Sequence, residues 1–133
     1  MDIFFQDPTE VPLPPDEVRI RELRAQAYPD GRRVRVYLEV DPSQRRPSAD
    51  LAIRDSSGTE VTNTSIVESM YRKMEITMHL RNPLPGERYV LTAIVFFVQQ
   101  PPEGLEPDPR LRQVVDTREV LIGVDAAPAP SGI

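Results

Sequence analysis

Few side chains in this 133-residue sequence could do chemistry, and their spacing argues for quieter roles. The only histidine, His79, belongs to an alternating run over residues 73–81. Met74, Ile76, Met78 and Leu80 share one side of that run, while Glu75, Thr77, His79 and Arg81 share the other, which is expected to face solvent. Without a cysteine or a second histidine, zinc and copper would lack their usual nitrogen and sulfur ligands. Ser56-Ser57-Gly58 follows Asp55 directly, and hydroxyls and carboxylates so placed satisfy the backbone of a tight turn. No G-x-S-x-G elbow lifts a serine out for nucleophilic attack. Asp41, Asp50 and Asp55 are scattered over strand ends, without the alternate-residue spacing that gathers several oxygens around one calcium ion. Asp30-Gly31 reads as a turn. Only 6 glycines are spread over the chain, and none forms a phosphate-cradling loop. The expectation is a chain with no catalytic residue, no metal site and no cofactor, and so not an enzyme.

The elements that position these residues are organised around residues 86–98, G-E-R-Y-V-L-T-A-I-V-F-F-V, the longest apolar run. As a strand it carries Tyr89, Leu91, Ala93, Val95 and Phe97 on one side and Val90, Thr92, Ile94, Phe96 and Val98 on the other. Its β-branched and aromatic content, with Pro85-Gly86 and Pro101-Pro102 as punctuation, favours a strand over a buried helix. Both sides being largely apolar, the strand is either central and covered on both faces or it exposes a sticky patch. Val90, Ile94, Phe96 and Val98, joined by Leu121 if the last strand pairs here, are therefore the candidate partner-binding residues. A protein partner, or a second copy in a homodimer, is the expected cover. An N-terminal arm laying Phe4 and Phe5 on the face is the other candidate.

Leu84-Pro85-Gly86-Glu87-Arg88-Tyr89 resembles the L-x-P-G-x-x-Y turn leading into the sixth strand of fibronectin type III and related immunoglobulin-like domains. The resemblance implies that Tyr89 forms a tyrosine corner, its hydroxyl tied back to the backbone just upstream. The layout also resembles that of single-domain bacterial proteins, a likeness that carries no function with it. The tryptophan common on an early strand of the family is missing here.

Taken in order, residues 1–17 read as an extended proline-rich arm, because proline forbids helix interiors and donates nothing to a strand ladder. Over 18–28 the apolar phase runs Val18, Ile20, then Leu23, Ala25, Ala27; the slip near Glu22 predicts a β-bulge. Pro29-Asp30-Gly31 turns the chain into 33–40, where Val34, Val36, Leu38 and Val40 face inward. Residues 42–47 form a basic loop with Arg45 and Arg46. Leu51 and Ile53 point inward from 49–55. Residues 59–69 are polar, with Val61, Ile66 and Val67 as their aliphatics, and read as a strand followed by a crossover to the other sheet. Residues 99–112 hold Pro101, Pro102, Pro107 and Pro109 and read as a long loop, 114–124 as the last strand. The prediction is an all-β, seven-stranded antiparallel immunoglobulin-like β-sandwich over 18–125, with a flexible C-terminal tail over 126–133.

Net charge is −5, so a phosphate backbone meets too little basic surface, and nucleic acid is not an expected partner. No signal-peptide pattern opens the sequence, and no apolar run approaches the roughly 20 residues a membrane helix needs, so a cytoplasmic location without membrane insertion is expected. The function these features favour is a non-catalytic protein-interaction module, an adaptor or scaffold. A carbohydrate-binding or adhesive domain is the alternative, with few aromatic side chains to support it.

Overall fold

Period-two alternation between short turns, in a chain with 15 prolines, leaves the backbone extended strands and little else. The computed structural model describes residues 11–69, 71–84, 86–99, 104–106 and 111–122. Seven strands run through them: β1 (Ile20–Ala27), β2 (Arg33–Val40), β3 (Ser48–Arg54), β4 (Glu60–Ile66), β5 (Lys73–His79), β6 (Tyr89–Val98) and β7 (Arg112–Ile122). They form two antiparallel sheets, one in the order β1-β2-β5 and the other β4-β3-β6-β7, packed as a β-sandwich. The expected phase of β6 is the observed one. Tyr89, Leu91, Ala93, Val95 and Phe97 point inward and are buried, against Leu51 and Ile53 of β3 and Val34, Val36 and Leu38 of β2. Each such side chain removed from water contributes about 1.5–3 kcal/mol, which makes this interior the main source of stability.

The phase slip in the first strand is a bulge, with the register shifting between Ile20 and Glu22. At the corner before β6, the Tyr89 hydroxyl accepts a hydrogen bond from the Leu84 N–H at 3.3 Å while its ring lies in the core. That is the contact implied by the turn sequence.

Two boundaries differ from expectation. The last strand begins at Arg112, because Arg112 stands opposite Val98 and its guanidinium lies 4.3 Å from the Phe96 ring centroid. Residues 11–17 are not simply extended: Pro15–Glu17 form one turn of 3-10 helix, and proline suits the first turn because its missing N–H would have no partner there. Leu13 forms a parallel bridge with Ser43, its N–H donating to the Pro42 carbonyl and its carbonyl accepting from the Gln44 N–H, each at 2.9 Å. Phe4 and Phe5, the tail 126–133 and most of the proline-rich loop 101–109 lie outside the described residues.

Candidate functional site

The side chains that could have done chemistry are held by the fold itself. Asp55 accepts three bonds on one carboxylate oxygen, from the Ser57 hydroxyl at 2.6 Å, the Thr59 N–H at 2.9 Å and the Ser57 N–H at 3.0 Å. The Ser57 hydroxyl first, then the Thr59 N–H, holds the Asp55 carboxyl below the usual aspartate value. Asp30 is likewise lowered, chiefly by the Arg32 N–H in the β1–β2 turn. Asp41 accepts from the Arg19 N–H and from Arg21 Nε. Asp50 accepts from the Ser65 hydroxyl and from Arg112 Nη1, each at 2.7 Å. His79 is exposed at the end of β5, opposite Arg33. Arg45 of the basic loop donates to the Val98 carbonyl at 2.9 Å.

The five candidate partner-binding residues do share one face, the outer face of the four-stranded sheet, and Leu121 stands opposite Val90 as the pairing of β7 with β6 requires. Their exposure differs from what the alternation implied. Phe96 is only 7% exposed, Val90, Ile94 and Val98 are half-buried, and Leu121 is 62% exposed. Long side chains from the flanking strands supply much of the difference, their apolar stems covering neighbours while their charged ends stay wet. Arg112 lies over Phe96 and is anchored on Asp50, and the Thr92 hydroxyl donates to Glu119 at 3.3 Å. A bulge in β7 between the partners of Val95 and Phe96 brings Val114, 50% exposed, opposite Phe96. The exposed apolar surface here is thus Val114 and Leu121 rather than the β6 side chains.

A second surface follows from strand order. The sandwich has two long sides, one where β1 meets β7 and one where β4 faces β5. The first is closed. The Ile20 N–H donates to Asp116 Oδ2 at 2.9 Å, and Arg118 Nη2 donates to the Ile20 carbonyl at 2.7 Å. Among the described residues the second is open: β4 and β5 barely touch, and at one end a shallow groove of about 640 Å³ lies between Ile66 at the end of β4, the residues Val67, Glu68, Ser69 and Tyr71 that follow it, and β5. Ile66, Met74 and Ile76 give it an apolar floor, with Val67, Tyr71, Arg46, Glu68, Lys73 and Glu75 around it. Val67 is 73% exposed and Tyr71 52%. Met74 and Ile76 sit on the inward side of β5 as expected, yet are only partly buried. The inward positions of β4 include Thr62 and Thr64 beside Ile66, so this strand offers the inward side of β5 fewer apolar side chains than β2 and β6 offer one another.

Fold and site together define an all-β sandwich with one closed and one open side. No protein-family model matches the chain, and no curated protein matches it. Among solved structures it is similar to part of a glycosyl hydrolase family 2 member from Bacteroides cellulosilyticus DSM 14838. That match has a TM-score of 0.52 and 12% identity, covering 80% of this chain and 15% of that one. It is also similar to part of the Parabacteroides merdae β-glucuronidase, with a TM-score of 0.53 and 14% identity, covering 80% of this chain and 14% of that one. This chain spans about one seventh of either structure, and the likeness is one of fold. Among the described residues, no helix is long and apolar enough to cross a membrane.

Proposed function

We propose that this chain is a non-catalytic, immunoglobulin-like recognition module of the fibronectin type III kind, acting in the cytoplasm by binding a protein partner along its open side. The observation that carries this reading is the groove between β4 and β5, where Val67 and Tyr71 are offered to solvent above a partly buried apolar floor. Clustered apolar side chains left in water on a small domain mark a contact surface. The engagement of Asp41, Asp50, Asp55 and Ser57 in turn and strand contacts supports a binding role over a catalytic one, and the net charge of −5 supports a protein over a nucleic acid. The outer-face residues Val90, Ile94, Phe96, Val98 and Leu121 form a second, shallower surface on this reading.

Affinity capture from the native host tests it, using the wild-type chain beside the double variant Val67→Glu, Tyr71→Ala. A partner held by the first and lost by the second is the expected result; capture unaffected by the double change overturns the placement on the open side. The fold likeness to glycosyl hydrolase family 2 members favours a second reading, carbohydrate binding, in which the exposed ring of Tyr71 would stack on a sugar. Retention on a glycan array that Tyr71→Ala abolishes would favour it over the first.

A further inference from the structure

The described chain begins close to the groove. Pro12 and Leu13 are held against the loop that follows β2: the Pro12 carbonyl accepts from Gln44 Nε2 at 3.5 Å, and Leu13 bridges Ser43. Two residues beyond Gln44, Arg46 lines the groove, and the Pro47 carbonyl accepts from the N–H of Ser69, another lining residue, at 2.7 Å. Val11 is 74% exposed, so the chain reaches this anchorage from the surface. Residues 1–10 lie outside the described residues and read M-D-I-F-F-Q-D-P-T-E. They bring three consecutive large apolar side chains, Ile3, Phe4 and Phe5, together with the carboxylates of Asp2, Asp7 and Glu10 and no basic side chain. Phe5 is seven residues from Pro12, a reach of about 25 Å, whereas Gln44 and Arg46 are at most about 7 Å apart, so the groove is within range of this segment.

We infer that residues 1–10 fold back within their own chain and seat Ile3, Phe4 and Phe5 in the groove, so that the recognition surface proposed above, on which this inference rests, is covered until a partner displaces them. Extended backbone sends neighbouring side chains to opposite sides. A recess can take all three, against Ile66, Met74 and Ile76 on its floor and Val67 and Tyr71 at its rim. The flat outer face of the four-stranded sheet would leave every second one in water. That face is also largely occupied, with Phe96 under Arg112, and its exposed residues Val114 and Leu121 stand seven positions apart on β7. Charge agrees with the groove. Lys73 is exposed there and makes no ion pair among the described residues, and Glu75 near it lies 3.8 Å from Arg35, which offsets its charge; Glu68 opposes an acidic segment. The tether favours the chain's own groove over that of a second copy, because a short linker holds its end at an effective concentration in the millimolar range.

The chain has no cysteine, so an introduced pair reports contact directly. Mild oxidation of the full chain carrying Gln6→Cys and Val67→Cys should close a disulfide within one chain at least tenfold faster than the pair Gln6→Cys and Leu121→Cys, which samples the outer face. Adding Phe4→Asp and Phe5→Asp should bring the first rate down to the second, with circular dichroism unchanged throughout. Equal rates in the two pairs, or a faster bond to position 121, overturn the inference, and so does a bond that joins two chains on a non-reducing gel. No partner is present in this experiment, so its failure leaves the recognition role to the capture experiment. In that experiment, Phe4→Ala with Phe5→Ala in the otherwise wild-type chain should raise the captured partner several-fold. Capture unchanged by this double substitution, with the cross-link still forming, overturns the displacement.

Discussion

The two long sides of this sandwich solve the same problem in opposite ways. Where β1 meets β7, the bulge at Ile20 to Glu22 interrupts the ladder, and Asp116 and Arg118 reach across to satisfy both the N–H and the carbonyl of Ile20. Where β4 faces β5, the inward side of β5 is apolar and the strand opposite offers Thr62 and Thr64 beside Ile66, leaving Met74 and Ile76 partly covered and Val67 in solvent. The difference is one of side-chain reach as much as of hydrophobicity. Charged side chains close a side where they bind interrupted backbone, as Asp116 and Arg118 do at Ile20; on the open side Arg81 binds the Val61 carbonyl at the bulged start of β4, and the groove lies at the other end, beside Ile66.

The largest expected effect breaks the closed side. Ile20 is buried there, and Ile20→Ala removes core contacts at the point where the two sheets are tied, so it should cost about 2–5 kcal/mol. Chemical denaturation of the variant measures it, and a loss below about 1 kcal/mol would mean the β1–β7 side is not the structural one. Next comes Asp116→Ala, which leaves the bulged Ile20 N–H without its acceptor and should cost about 1–3 kcal/mol. Amide exchange at Ile20 should speed up in that variant before exchange in β2 does; simultaneous acceleration would show that the clamp is not local.

How much of this could be read in the sequence depends on the range of the interactions involved. The inward phase of β2 and β6, the bulge in β1 and the Tyr89 corner are set by residues within a few positions of one another, and period-two alternation or a short turn motif exposes them. The exposure of the β6 outer face was not legible, because the cover of Phe96 comes from Arg112 on the next strand, itself fixed by Asp50, 62 positions away. Neither was the clamp on Ile20, whose partners are 96 and 98 positions distant. The open groove lies between these cases. Its two strands are close in sequence, but only the sheet order places them across from each other, so the partial burial of Met74 and Ile76 follows from packing between sheets and not from their alternation.

Acid sharpens the comparison with a smaller effect. Asp55 sits in the turn that feeds β4, and its carboxyl is held below its usual value by the Ser57 hydroxyl and the Thr59 N–H. A lowered folded value means the carboxylate stabilises the native state at pH above the ordinary aspartate value of about 3.9, a contribution lost as pH falls through the lower folded value. Stability measured against pH should therefore fall more steeply in the wild type than in Asp55→Asn over that acidic window. Parallel profiles would mean that the turn on the open side adds nothing to folding.

The smallest stability effect is expected at the open side itself, and its smallness is what gives it meaning. Val67→Ala removes methyl groups from a side chain 73% in solvent, so unfolding free energy should change by no more than about 0.5 kcal/mol, against several times that for Ile20→Ala. The same substitution trims the part of the groove rim that a bound partner would cover, and each methylene buried there is worth about 0.8 kcal/mol of contact. Stability and binding should thus separate at Val67 and move together at Ile20, where unfolding removes both. Denaturation and partner capture run on the two variants side by side read this directly. If Val67→Ala unfolds the domain as readily as Ile20→Ala does, the β4–β5 side is packed like the β1–β7 side, and the contrast between an architectural and a receptive side disappears.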